Sequence, residues 1–82
     1  GSPPKYPIAL LSREITGELM LRIQVSENGQ PTEVTVATSS GHPELDDAAK
    51  DVAGKWVYVP AQQKGKRVAG VAMVPVRFSF AH

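Results

Sequence analysis

The stretch ELMLRIQVSENGQPTEVTVAT, residues 18–38, decides the fold of this chain. From Leu19 to Val25 every second side chain is a large aliphatic one, which predicts a strand with one buried face. Asn28-Gly29 follows and is one of the strongest short hairpin signals, because both residues tolerate positive φ. A return strand is predicted at about residues 32–38. The stretch is therefore expected to form an antiparallel hairpin.

An amphipathic helix is predicted on each side of this hairpin. Upstream, Pro7 suits a first helical turn, and residues 8–15 carry an apolar face before Gly17 ends the helix. Downstream, Pro43 starts a second helix with acidic residues early and lysines late, as the helix dipole favours. The apolar stripe of this second helix consists of Leu45, Ala48, Ala49, Val52 and Trp56.

The chain is predicted to return to the sheet after the second helix. Tyr58 and Pro60 form a short extended piece, and Gly65 turns the chain inside a basic loop at residues 64–67. A last strand covers about residues 68–80. Because crossover connections are right-handed, the second helix carries the chain over the first strand, and the last strand pairs with that strand antiparallel.

These elements predict an α+β fold with the topology α-β-β-α-β. The sheet has three antiparallel strands in the order 2-1-3, and both helices pack on one of its faces. The predicted core consists of Leu19, Leu21, Ile23, Val34, Val36, Leu45, Val52, Trp56, Val74, Val76 and Phe78.

Pro75 indicates that the last strand lies at an edge of the sheet. Proline has no N–H and cannot donate to a central ladder, so its nitrogen must face outward or lie at a bulge. An open edge can accept an extended peptide as an additional strand. The predicted partner-binding residues are the alternate positions Val71, Met73, Pro75, Arg77 and Ser79.

Length and composition fit one small domain. The chain has 82 residues, nine Lys and Arg against eight Asp and Glu, and no cysteine. Near-neutral charge gives little attraction to nucleic acid, and the lack of cysteine excludes disulfides and thiolate metal sites. No apolar run approaches the about 18–20 residues that span a bilayer, so no direct membrane insertion is expected. Gly1-Ser2 and the prolines after it are interpreted as a tag remnant and linker end at residues 1–5, with the domain at residues 6–82.

Residue types that carry chemistry are present without the arrangements that chemistry needs. Ser40 and His42 lie too close in sequence to form a nucleophile and base pair, and His82 is terminal, so neither a catalytic nor a metal site is predicted. The acids Glu44, Asp46 and Asp47 belong to the first turns of a helix, where negative charge is favoured anyway. No cofactor is expected, and the chain is predicted not to be an enzyme.

A small basic patch is the remaining charged feature. It consists of Lys64, Lys66 and Arg67, with Lys5 and Arg77 expected nearby. So few charges give little salt-dependent affinity for a polyanion, and a solvated loop is the favoured interpretation. Gly65 and Gly70 have the spacing of a phosphate loop, but Val71-Ala72 stand where Lys and Ser or Thr belong.

Taken in order, these motifs resemble the C-terminal domain family of TonB, over residues 6–80. The matching pieces are Tyr6-Pro7, Gly17, Leu19-x-Leu21-x-Ile23, Asn28-Gly29, Ser39-Ser40-Gly41, Leu45-Asp46, Ala48-Ala49, Trp56-x-Tyr58-x-Pro60-Ala61, Gly65 and Val74-Pro75-Val76-x-Phe78. The resemblance implies the periplasmic domain of an inner-membrane-anchored protein. It also implies two partners: an ExbB/ExbD-like motor acting through the upstream part, and the TonB box of an outer-membrane receptor added as a strand.

Three other functions stay open at this point. A HasB-like coupler dedicated to one haem receptor and a TolA-like domain would share the same pattern. An acylphosphatase-like enzyme is a remote third, because such enzymes need a glycine-rich phosphate loop after the first strand, where this chain has Ser26-Glu27-Asn28-Gly29. An assay with an acyl phosphate distinguishes the enzyme from a protein-binding domain, and a salt-titrated binding test does the same for a nucleic-acid-binding domain.

Overall fold

The fold is α+β in the computed structural model, which describes residues 5–7 and 13–79. In chain order the elements are the strands β1 (Gly17–Val25) and β2 (Pro31–Thr38), the helix α1 (Pro43–Ala53), and the strands β3 (Ala61–Gln63), β4 (Lys66–Val68) and β5 (Gly70–Phe78).

The three long strands form one antiparallel sheet in the order β2-β1-β5. This order confirms the predicted arrangement 2-1-3, in which the last strand crosses back to the first. The helix α1 contacts β1 and β2 from one face of the sheet. Within the described residues it is the one helix, so the prediction of two helices on this face is confirmed for α1 alone.

The predicted first helix, at residues 8–15, falls mostly outside the described part of the chain. Where the chain is described again, Arg13 and Glu14 form a turn, and Glu14 has a φ of 55°. That value lies in the left-handed region, which interrupts a right-handed helix. A helix reaching Ile15 is therefore wrong at its C-terminal end.

The basic loop predicted at residues 64–67 is part of a small hairpin. Its strands β3 and β4 pair through Ala61 with Val68 and Gln63 with Lys66. The turn residues Lys64 and Gly65 have φ values of 51° and 77°, the pattern of a two-residue type I′ turn. The prediction of a last strand from Val68 is wrong by two residues, because Val68 pairs within this hairpin and β5 begins at Gly70.

The helix α1 ends earlier than its apolar stripe predicts. Gly54 is a weak helix former, and its N–H still bonds to the carbonyl oxygen of Lys50 at 3.1 Å. The next N–H, of Lys55, bonds one residue closer, to Val52 at 2.9 Å, so the last turn tightens and stops. Trp56 therefore lies beyond the helix, where it is half-buried and packs against the core with its ring 6.3 Å from that of Tyr58.

The core fills the space between α1 and the inward face of the sheet. Six of the predicted core residues are buried, and four more, Val34, Val36, Trp56 and Val74, are partly buried against them. Val52 is partly buried but does not belong to this cluster, so its prediction as a core residue is wrong. The buried set is Leu19, Leu21, Ile23, Val25, Leu45, Ala49, Ala53, Val76 and Phe78. Val25, Ala49 and Ala53 were not in the predicted core. The two alanines are buried because α1 lies close to the sheet.

Buried Asp46 ties the start of α1 to the end of β2. Its carboxylate accepts hydrogen bonds from the hydroxyl of Ser39, from the N–H of Ser40 at 3.0 Å and from the hydroxyl of Ser40 at 2.7 Å. Burial on its own would raise the pKa of Asp46, but these hydrogen bonds and the nearby charge of His42 outweigh it, so the pKa lies below its usual value. His42 is the N-cap residue, and its side chain makes no capping hydrogen bond.

Residues 55–60, which we call the strap, connect α1 to β3 without helix or strand structure and cross the β1–β2 turn. The N–H of Tyr58 donates to the carbonyl oxygen of Gly29 at 2.8 Å. The Tyr58 hydroxyl donates to the carbonyl oxygen of Ala53 at 2.7 Å, and burial raises the pKa of this phenol. Gly29 has a φ of 83°, and a Cβ added to it would lie 2.2 Å from the carbonyl oxygen of Tyr58. Two separate constraints therefore require glycine at position 29: the positive φ of the turn, and the close approach of the main chain of the strap.

Gly29→Ala is expected to destabilise the domain more than Gly65→Ala. Both glycines have positive φ, which costs a non-glycine residue about 1–2 kcal/mol. Only at Gly29 does the new methyl group also collide with main chain, whereas at Gly65 nothing lies within 4 Å of it. Urea unfolding of both variants measures the difference. Equal losses of unfolding free energy would show that the strap does not lie against Gly29.

Asp46→Asn is expected to lose about 1.5–3 kcal/mol at pH 7, the range for hydrogen bonds to a charged group. The pKa of Asp46 is lower in the folded state than the value near 3.9 of an unfolded chain, so its stabilisation is present above about pH 4. It is lost as the pH falls through the lower, folded-state pKa.

Unfolding measured at pH 7, 4 and 3 should therefore show the gap between Asp46→Asn and the parent chain closing at acidic pH. Asp47→Asn is the matched control, because Asp47 is the next residue of α1 and is exposed. Similar losses in the two variants, or a gap independent of pH, would contradict the assigned role of Asp46.

Candidate functional site

The five residues predicted to bind a partner lie in one exposed row on β5 and just after it, which we call the outer row. Val71 and Met73 are each 53% exposed, so two large apolar side chains lie next to each other along the row. Pro75 and Arg77 are also exposed, and Ser79 follows the end of the strand. Alternation along the strand therefore brings the row to the face of the sheet opposite α1.

The residues between them anchor β5 in the core. Val76 and Phe78 are buried, and Val74 is partly buried against the same cluster. Tyr6 packs its ring edge-on against Phe78, with 5.1 Å between ring centroids and an interplanar angle of 80°. The strand that carries the outer row is thus held firmly on its inner side.

The β1–β5 register runs through nine consecutive pairs without a shift, from Gly17 with Phe78 to Val25 with Gly70. The β1–β2 register shifts twice, once on each side of a central run. On β2 the extra residues are Thr32 and Ala37, which leaves four regularly paired positions. Bulges of this kind twist a sheet edge and disfavour further strand pairing. Of the two outer strands of this sheet, β5 therefore presents the longer regular edge.

Pro75 is paired with Met20 in this register. In an antiparallel ladder, pairs that exchange two hydrogen bonds alternate with pairs that exchange none. A proline fits without a missing bond only in a pair that exchanges none, so neighbouring Val74 and Val76 are the residues that bond to β1. The nitrogen of Pro75 then faces away from β1.

A shallow groove crosses β1 on the same face, from the outer row to the end of β2. Its walls include Met20, Thr38, Pro75 and Arg77. The side chain of Arg77 bridges to Glu18, with 3.2 Å between Nε and Oε1, and both side chains are largely exposed. Because exposed ion pairs contribute little, Arg77 can exchange Glu18 for another carboxylate at small cost.

Ser40 and His42 do not form a nucleophile and base in this fold. The Ser40 hydroxyl donates to the carboxylate of Asp46 and accepts a bond from the backbone N–H of His42 at 3.1 Å. It serves as a turn and anchoring group. Among the described residues no group of three or more His, Asp or Glu is placed to hold a metal ion, and none of their helices has the length and hydropathy of a membrane span.

Two features of the site lay beyond sequence reasoning. Met20 interrupts the polar positions of β1, but whether it would border the outer row depends on the register with Pro75. The β3–β4 hairpin has only a Lys64-Gly65 signal, which is weaker than Asn-Gly because lysine rarely adopts positive φ. Neither could be read from the local pattern alone.

Comparison with known proteins finds a family whose members match almost the whole chain. The family model described as Gram-negative bacterial TonB protein C-terminal matches residues 2–80. The chain is 41% identical over 78 residues to Protein TonB of Xanthomonas campestris pv. campestris, covering 95% of this chain and 35% of that protein. It is 37% identical over 75 residues to Protein tonB2 of Pseudomonas aeruginosa, covering 92% and 28% respectively.

A solved structure is similar along almost the whole chain. It is the solution NMR structure of the Pseudomonas aeruginosa TonB CTD, with a TM-score of 0.82 and 25% sequence identity. The match covers 99% of this chain and 82% of that one. The curated relatives are much longer, and this chain spans about a third of their length.

Proposed function

The chain belongs to the family of Gram-negative bacterial TonB C-terminal domains, and we propose that it binds an extended segment of an outer-membrane receptor as an added strand beside β5. The segment would be a TonB box. The observation that carries this proposal is the uninterrupted nine-pair register of β5 with β1, which leaves a long regular edge.

The main chain of β5 supplies most of the binding energy in this proposal. If Val74 and Val76 bond to β1, the backbone groups of Met73 and Arg77 point to the open side of the strand. A docked segment meets N–H donors at those two positions and none at Pro75. The missing donor constrains the register of the segment, while main-chain bonds let one domain accept several receptor sequences.

The side chains of the outer row determine which receptor segments bind best, in addition to the main-chain hydrogen bonds that any extended segment can form. Val71 and Met73 offer apolar contact, and Arg77 offers a cation whose present partner, Glu18, is exposed and exchangeable. A docked strand would place alternate side chains beside this row, on the face that carries the groove.

In the whole protein this domain would act as a mechanical coupler. An upstream helix would anchor it in the inner membrane, an ExbB/ExbD-like motor would drive it, and a proline-rich spacer would cross the periplasm. Its receptors would be transporters for siderophores, haem or cobalamin. A strand pair loaded along its length must break several hydrogen bonds together, which suits force transmission. The role requires no catalytic residue and no cofactor.

Single backbone amides of β5 provide the test, by N-methylation in a semisynthetic domain. Methylation at Arg77 should weaken binding of a TonB-box peptide about tenfold or more, because a main-chain bond worth about 0.5–1.5 kcal/mol is lost and the methyl group occupies the position of the strand. It should leave thermal stability nearly unchanged. Methylation at Val76 should instead destabilise the fold, since that N–H bonds to β1.

Val34 is the matched control on the other edge. Val34 lies among the four regularly paired positions of β2. Because hydrogen-bonded and non-hydrogen-bonded pairs alternate along the ladder, its N–H faces the open side of β2. Methylation there should leave both stability and peptide affinity unchanged. Loss of peptide binding at Val34 with none at Arg77 would move the binding edge to β2 and refute the proposal.

A further inference from the structure

Charge is distributed unevenly along this nearly neutral chain. Residues 52–82 contain five Lys and Arg and no Asp or Glu, whereas residues 1–51 contain eight acids and four basic residues. Of the five cations in the second part, Arg77 belongs to the outer row and Lys55 is paired with Asp51 at 3.4 Å. The other three lie together on the β3–β4 hairpin.

Those three, Lys64, Lys66 and Arg67, are exposed. None lies within 4.0 Å of a carboxylate oxygen in the described parts of the chain, where all the acidic side chains are found. The type I′ turn fixes them on a short two-stranded projection. The hairpin is therefore a cationic tip that forms no ion pair with any residue in the described parts of the chain.

The strap next to this hairpin exposes the two most accessible large apolar side chains of the described molecule. Val57 is 74% exposed and Val59 is 93% exposed. The alternate residues Trp56, Tyr58 and Pro60 are half-buried against the molecule. This alternation of exposed and half-buried residues places the two valines on the same, outward side of the strap.

Strap and hairpin lie at the same end of the molecule. Tyr58 bonds to Gly29 in the β1–β2 turn, and Pro60 leads directly into β3. At the base of the hairpin the Cβ of Ala61 lies 3.0 Å from a Cβ placed on Gly70, the first residue of β5. The strap and the hairpin are therefore neighbours at one end of the molecule, at the start of β5 and away from Phe78.

We propose that the strap and the β3–β4 hairpin form a second docking surface, which binds an extended, acidic protein segment with alternating apolar residues. The valine pair fits apolar side chains at every second position, and the exposed cations of the tip favour carboxylates close by. Three cations beside two valines are too little for a stable lipid anchor, which needs a larger apolar face or a longer basic cluster. The surface shares no residue with the outer row.

Titration of the isotope-labelled 82-residue chain with a synthetic peptide of alternating Asp and Val tests this surface. Amide shifts are expected at residues 55–68, and affinity should fall as salt is raised. Two double variants should each weaken binding about tenfold. One combines Val57→Ser with Val59→Ser, and the other combines Lys66→Glu with Arg67→Glu. These side chains are exposed, so thermal melting should confirm that both variants keep the fold.

Two controls match these changes. Lys50→Glu alters the charge of an exposed lysine on α1 and should leave the affinity unchanged. A peptide of alternating Lys and Val should not bind. Shifts confined to residues 70–79, or an affinity insensitive to both double variants, would overturn the proposal.

Two other occupants are distinguished in parallel. Sedimentation with phosphatidylglycerol vesicles reports a membrane, and sedimentation velocity reports a second copy of the chain. The proposal of a protein segment would be refuted if the acidic peptide fails to bind and the chain instead binds vesicles or self-associates. That binding or self-association would have to disappear in the Lys66→Glu, Arg67→Glu double variant.

Discussion

β1 has a strand along each of its edges, and this constraint organises the rest of the molecule. Its main-chain groups are divided alternately between β2 and β5, so the outward-facing groups of the sheet belong to those two outer strands. Two bulge residues of β2, Thr32 and Ala37, interrupt its pairing with β1. The β5 edge is regular over nine pairs. A single proline on β5 is compatible with that regularity because it falls at a position where no bond to β1 is needed.

The same alternation separates stability from recognition along β5. Val76 and Phe78 hold the strand in the core, while the residues between them stay accessible. A partner can therefore pair with the outer edge without rearranging the inner face. At the other end of the molecule, the contact between Gly29 and Tyr58 also separates a fixed side from an accessible side. It fixes the strap on one side and leaves the two valines of the strap exposed on the other.

Much of this could be predicted from local sequence patterns. The period-two strands and the crossover rule gave the sheet order, and Pro75 placed the last strand at an edge. The errors arose where a tertiary contact or a weak local signal decided the outcome. Gly54 ended α1 before Trp56, although the apolar spacing continued, because a helix stops where its hydrogen bonds stop. The role of Asp46 was seen only as a favourable charge in a first turn, since its serine partners come from the preceding loop. The asymmetry between the two edges depends on bulges that no short motif encodes.

Hydrogen exchange of individual amides, with and without a TonB-box peptide, tests the open β5 edge most directly. We expect the N–H groups of Met73 and Arg77 to exchange freely in the domain alone and to become protected in the complex. Those of Val74 and Val76 should be protected in both states, and Val34 on β2 should stay unprotected in both. Protection gained at Val34 instead, with none at Met73 and Arg77, would show that the peptide pairs with β2 and not with β5.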